Sequence, residues 1–320
     1  MRHKREKIFD VFANNLDLVR QHYEIIIGHE TEEGIKELTE PIYICPLCLR
    51  GYLKIALSQN VPNPLTLEDV PPKSLGGKPL ILTCKECNNR SGMVLDSVLK
   101  KHLQSSRFFK LSPGSVMDGK VSVNNQGHVN TRIRIGAEKG FFFNVDPSNY
   151  LVKKHINELH SNESGCKIDF SVKIPNRRNV AAALLRVGYL IAFNYLGNLI
   201  LLSPNIVKVT EQIRYPERKI LPHSGVIQLK KDEGYRPGLY FLKEPKDCSC
   251  FFVAFSLMLD GTSEYFGVFL PGPEEEGWSK YENITKLDKA TRLSFRDITF
   301  NDMISNINLV NGYHYLWKNL

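Results

Sequence analysis

Apolar positions Ile8, Val11, Phe12, Leu16, Leu18, Val19, Tyr23 and Ile26 recur at near-helical spacing over residues 4 to 27, so the chain opens with an amphipathic helix. The acidic run Glu30-Thr31-Glu32-Glu33 follows and predicts a linker or short second helix to about Glu40. Further on, Leu65 and Leu67 lead into Glu68-Asp69, and Val70-Pro71-Pro72 stops the run. That pattern predicts a strand ended by prolines, then a loop turning on Gly76-Gly77. Asn88 to Leu103 lacks proline and spaces Met93, Leu95, Val98, Leu99 and Leu103 as a helix does. In a continuous helix, Asn89, Gly92, Met93 and Asp96 share one side. Gly92 weakens such a helix by roughly 1 kcal/mol relative to Ala, a cost that close approach of another backbone would explain.

The texture then changes to short strands: Val121 to Val123, His128 to Ile135 and Phe141 to Val145, with a hairpin signal at Asn124-Asn125-Gln126-Gly127. A helix near Tyr150 to His160 and a strand from Lys167 to Ile174 come next. Asn179 to Leu202 is the most apolar stretch, yet Arg186 and Asn194 fall inside it and Gly197-Asn198 breaks it. It predicts a buried core helix instead of a membrane span, which needs about 20 residues almost free of charge. A helix from Pro204 to about Arg214 is followed by strands at Gly225 to Leu229, Leu239 to Leu242, Phe251 to Leu257 and Tyr265 to Leu270. Pro271 to Glu276 reads as an exposed loop, and Tyr313 to Trp317 as an apolar tail docked on the body.

Chemistry concentrates between Tyr43 and Asp96. Cys45-Pro46-Leu47-Cys48 and Cys84-Lys85-Glu86-Cys87 are two C-x-x-C pairs, a spacing that lets both sulfurs of each pair face one ion. They predict a four-cysteine structural zinc site. The 35 residues between Cys48 and Cys84 exceed the gap of a simple zinc ribbon, so the insert folds into something of its own. Cys248-Ser249-Cys250, before Phe251 to Phe255, reads as two strand residues on one face.

The ordered set of first knuckle, Glu68-Asp69, hydrophobe, prolines, Gly76-Gly77, second knuckle and Asn88 resembles the zinc-containing HNH (ββα-metal) endonucleases over roughly residues 41 to 104. The resemblance implies an α+β chain in which a zinc-stabilised treble-clef ββα module precedes a larger mixed α/β accessory region. It implies a divalent metal, Mg2+ or Mn2+, on Glu68 with Asn88 or Asn89, and catalysis by Asp69, Glu68 and Asn88. Asp69 stands where the family has its histidine, and Lys78-Pro79-Leu80 stands where a middle Asn often lies. Asp69 is then a slower base, a second metal ligand or a relic in a binding module, since an unperturbed Asp titrates near 3.9 against about 6.5 for His. His102 is the nearest histidine that could substitute as base.

Charge adds a partner. The chain carries 42 Lys and Arg against 34 Asp and Glu, and residues 41 to 110 hold ten of the former against four of the latter. Lys73, Lys78, Lys85, Arg90, Lys100 and Lys101 are the candidate phosphate contacts. The partner expected is DNA, with RNA also open, and no membrane. Seven cysteines, an odd number, and no secretory h-region point to the cytoplasm. The domains expected are an N-terminal helical segment at 1 to 40, the zinc module at 41 to 110, a strand-rich region with a buried helix pair at 111 to 220 and a β-rich region at 221 to 320. Residues 111 to 320 are left to recognise substrate or a protein partner. Three functions follow: a metal-dependent endonuclease hydrolysing DNA phosphodiesters, in restriction or antiphage defence; a catalytically attenuated module that binds nucleic acid without cutting it; or a zinc-stabilised interaction or regulatory scaffold without nucleic acid, disfavoured by the basic excess around the motif.

Overall fold

The computed structural model describes residues 2–23, 28–31, 34–37, 40–161, 166–222, 225–230, 236–288 and 291–313. The fold is α+β, in two compact units: residues 1–97 with 177–320, and residues 98–176.

The first unit opens with α1 (Arg2–Tyr23), which buries Phe9, Phe12, Leu16 and Val19 along one face. Strands β1 (Gly28–Thr31) and β2 (Gly34–Glu37) then pair antiparallel, so a hairpin stands where the sequence pattern has a linker or second helix. Gly28 and Gly34 disfavour a helix, and the cross-strand ladder satisfies the same backbone groups. A second hairpin, β3 (Ile42–Ile44) with β4 (Gly51–Leu53), carries the first cysteine pair in its turn. A third, β5 (Leu65–Val70) with β6 (Lys78–Cys84), carries the acids, and its register shifts between Glu68 and Asp69. Its turn depends on glycine: Gly76 has φ 89°, and a Cβ on Gly77 would lie 1.4 Å from the Pro71 carbonyl oxygen. Helix α2 (Lys85–Ser91) leads into a five-residue π-helical stretch, Gly92–Asp96, before α3 (Ser97–Phe109). A Cβ at Gly92 would meet nothing within 4 Å, so close approach of a backbone is not the reason for that glycine.

The second unit holds most of α3, then β7 (Val116–Val123), β8 (Val129–Ile135), β9 (Phe141–Asn144), α4 (Tyr150–Ser161) and β10 (Ile168–Val172). Its antiparallel sheet has the order β10-β7-β8-β9. Strand β8 alternates strictly, with Val129, Thr131, Ile133 and Ile135 buried and Asn130, Arg132 and Arg134 exposed. Asn124 and Asn125 adopt positive φ in the hairpin turn.

The chain returns to the first unit through α5 (Arg177–Leu196), which continues as a 3-10 turn to Leu202, and α6 (Ile206–Arg214). By length and composition the run Arg177–Leu202 could cross a membrane, but 78% of its apolar window is buried inside the protein, and it is a core helix. It packs on an antiparallel sheet of order β11-β14-β13-β12-β15, built from β11 (Val226–Leu229), β12 (Gly238–Glu244), β13 (Cys250–Leu259), β14 (Thr262–Leu270) and β15 (Ser294–Asp297). Gly188 permits that packing, because a Cβ there would lie 2.6 Å from the Val268 Cβ. Helices α7 (Gly277–Asn283) and α8 (Ile307–Asn311) complete the unit.

Two local expectations are corrected. Cys248 ends a 3-10 turn and only Cys250 lies in β13, because the chain bends at Lys246–Cys248 before the strand begins. Pro271 to Pro273 are buried and only Glu275 and Glu276 are exposed, since the segment folds back under Ser203, whose hydroxyl donates to the Gly272 carbonyl at 3.0 Å. Of the apolar tail, Tyr313 is buried and residues 314–320 lie outside the described residues.

Candidate metal centre and the acid pair beside it

The cysteines sit where three elements converge. Cys45 and Cys48 occupy the turn of the β3–β4 hairpin, Cys84 ends β6 and Cys87 lies in the first turn of α2. The turn closes through Leu49 N–H to Cys45 O at 2.8 Å and Cys45 N–H to Arg50 O at 2.9 Å, with Leu49 at φ 61°. Asn63 Oδ1 accepts the Glu86 N–H at 3.0 Å and so fixes the start of α2.

The four sulfurs lie within 4.8 Å of one another, and Cys48 Sγ and Cys84 Sγ are 3.9 Å apart. A tetrahedral zinc with bonds near 2.3 Å sets sulfurs about 3.8 Å apart, so the four cysteines can hold such an ion. A donor already faces the sulfurs: Cys84 N–H approaches Cys45 Sγ at 3.4 Å. Hydrogen bonds among the thiols split them: the bond from Cys45 lowers Cys48 to about 7 and pulls Cys84 down, while Cys45 and Cys87 are pushed up. Four such thiols crowded together favour a cation that takes them all as thiolates.

The acid pair faces inward. Glu68 is 3% exposed in the middle of β5, and its Oε2 accepts the Thr83 hydroxyl at 2.8 Å. Its Oε1 is engaged by Arg186 Nη2, from a residue that is itself 1% exposed on α5. Arg186 Nη1 also donates to Asp96 Oδ1 at 2.7 Å, and among the described residues its Nε has no acceptor. One guanidinium therefore bridges the strand acid and the last residue of the π-helical stretch. Burial pushes Glu68 above the ordinary carboxylate range, while Arg186 and Thr83 pull it back and Asp96 and Asp69 add repulsion. Asp96 is raised in the same way, by burial first, against Arg186.

The module is tied to α5 at a second point: the Tyr189 hydroxyl, three residues after Arg186, donates to the Pro46 carbonyl at 2.7 Å. Tyr43 holds the hairpins together, donating to Leu82 O at 2.7 Å and accepting Leu82 N–H at 3.0 Å.

The other site residues are distributed as follows. Asp69 is half-buried beside Glu68, after the register shift. Asn88 Nδ2 donates to Thr66 Oγ1 at 2.9 Å and to Leu67 O at 3.2 Å, which puts Asn88 against the acid-bearing strand, and Asn89 is exposed. Lys73 and Lys78 are exposed at the β5–β6 turn, and Lys85 and Arg90 are exposed on α2. Lys100, Lys101 and the half-buried His102 lie on α3, in the second unit. Sequence reasoning missed Arg186, Asp96 and Tyr189 as parts of this site. Its one available signal was an arginine in the middle of an apolar helix. No protein-family model, curated protein or solved structure matches the chain.

Proposed function

We propose that this chain is an HNH-derived, zinc-stabilised module that binds nucleic acid, with phosphodiester hydrolysis attenuated. The order of knuckle hairpin, acid-bearing hairpin and helix supports a ββα treble-clef module, with zinc on Cys45, Cys48, Cys84 and Cys87. Bound there, the ion supplies folding free energy and no reaction step.

The observation that carries the reading is the engagement of Glu68. Both of its carboxylate oxygens already have partners, and one partner is a buried guanidinium. A hydrolytic metal must neutralise charge on the phosphorane and the leaving oxygen. At Glu68 it would have to displace Arg186 or share the carboxylate with a fixed positive charge, and each disfavours a divalent cation. Asp69 supplies no imidazole to activate water. What remains is a folded, basic surface: Lys73, Lys78, Lys85 and Arg90 are exposed around the hairpin turn and α2.

A second reading, a metal-dependent endonuclease with Mg2+ or Mn2+ on Glu68 and Asn88 or Asn89, is favoured by a different observation. Glu68 and Asp96 share the Arg186 guanidinium, Asp69 is close enough to repel both, and both aspartates are only partly buried. Restriction or antiphage defence belongs to that reading.

Fluorescence anisotropy of a labelled DNA duplex, titrated with zinc-loaded protein at several salt concentrations, tests the first reading. Binding should weaken steeply with salt and be unchanged by Mg2+ beyond its ionic strength. Salt-independent binding, or none to any nucleic acid, would leave a zinc-stabilised scaffold instead.

A further inference from the structure

At the C-terminal end of α6 the first unit gathers Arg90 with Arg178, Arg214 and Arg218, three arginines to which the sequence assigns no role. Arg90 reaches across from α2, donates through Nη2 to the Arg214 carbonyl and lies 5.1 Å from the centre of the Tyr215 ring. Arg218 lies 4.1 Å from the same ring centre and Arg214 5.7 Å. Arg178 Nη1, from the start of α5, donates to the Glu217 carbonyl at 3.3 Å. The buried Pro216 lines two clefts of about 240 and 290 Å³, beside the half-buried Tyr215. Arg50, Arg90 and Arg214 line the first, beside the cysteine cluster, and Arg178, Arg218 and Lys219 line the second.

Helix capping explains part of this arrangement. The Arg90 and Arg178 guanidiniums cover carbonyls at or just beyond the helix end, where positive charge is favoured. The helix end also favours the charge of Arg214, but among the described residues neither the Arg214 nor the Arg218 guanidinium covers a carbonyl. Among the described residues neither guanidinium has a carboxylate partner or a hydrogen-bond acceptor, and both lie against the Tyr215 ring. The acids of the clefts are Glu86, already 3.5 Å from Arg50, and Glu217. Each guanidinium keeps planar N–H donors that match phosphate oxygens.

We infer that Arg214 and Arg218 are backbone-phosphate contacts, extending the nucleic-acid surface of α2 around the Tyr215 ring. The inference rests on the nucleic-acid-binding reading and adds to it a surface at and just beyond the C-terminal end of α6, outside residues 41 to 110. The occupant is the phosphodiester backbone of one nucleic-acid strand. The contacts carry no base specificity, because phosphates look alike in every sequence.

The test is the salt dependence of duplex binding by full-length, zinc-loaded protein in two double variants, Arg214→Gln/Arg218→Gln and Lys73→Gln/Lys78→Gln. The arginine variant leaves in place Arg90 and Arg178 and the backbone carbonyls they cap, and its zinc content and circular dichroism serve as controls. Losing two phosphate contacts should flatten the slope of log K against log salt by about two units and weaken binding equally to unrelated sequences. An unchanged slope in the arginine variant, with a flattened slope in the lysine variant, would overturn the inference and leave the nucleic-acid reading standing. Absence of binding by the unmodified protein would overturn both.

Discussion

Arg186 is the residue on which the acid site turns. It is fully buried, pairs with Glu68 and Asp96, and comes from a helix 118 residues away from Glu68. Breaking a buried ion pair by removing one partner leaves an uncompensated charge and costs about 3–5 kcal/mol. Arg186→Gln should lower stability by that amount in urea unfolding, and Glu68→Gln added to it should recover part of the loss. Additive losses would show that the two side chains do not share one interaction. The pair also predicts a pH dependence. Glu68 and Asp96 are raised in the fold, so the native protein keeps protons that the unfolded chain has released. Their contribution is fully present below the ordinary carboxylate pKa of about 4 and is lost as pH rises through the folded values. Arg186 is the largest influence pulling Glu68 down, so Arg186→Gln should raise Glu68 further. The gap in urea midpoint between wild type and variant should therefore narrow as pH falls from about 7 towards about 4.5; a constant gap would contradict the assignment. The cysteines were legible because C-x-x-C spacing is local. Arg186 was not, because a charge inside an apolar run announces that it has a partner without naming it.

Helix α5 links the acid site to the C-terminal sheet. One stretch of it carries Arg186 and Tyr189 towards the cysteine-bearing hairpins, and Gly188 lies against Val268 of β14. Gly188→Ala places a methyl group 2.6 Å from the Val268 Cβ, an overpacking that should destabilise by about 1–3 kcal/mol. Val268→Ala in the same chain should relieve part of it, seen as a higher thermal midpoint for the double variant than for Gly188→Ala alone. Equal midpoints would mean that the contact does not limit the packing. Most elements were readable from periodicity, since a buried helix and alternating strands write their burial into the chain. The β1–β2 hairpin was hidden by an acidic run without alternation, and the four-residue β15 was too short to show a period. The π-helical stretch at Gly92–Asp96 was hidden too, because five residues of altered winding leave no apolar signature. That stretch matters, because it shifts the register of the helix that carries Asp96 to Arg186.

At the scale of the molecule, two units and a cysteine cluster raise the question of what the fold requires. The hairpins around the cluster are short, and β3 and β4 have three residues each. Such a site contributes its metal-binding free energy to folding. Elemental analysis of protein purified without chelator should find one zinc per chain, and Cys84→Ser should lose both the metal and the cooperative unfolding of the first unit. Metal-free protein with native stability would refute that role. The central claim, binding without cutting, is met most directly by one gel. Zinc-loaded protein is incubated with supercoiled plasmid and Mg2+, Mn2+ or Ni2+, and each sample is run with and without removal of the protein. The expected result is a retarded band that returns to fully supercoiled DNA once the protein is removed, with all three metals. Nicked or linear DNA in any metal, abolished by Asp69→Ala, would contradict the claim and make the chain a working nuclease.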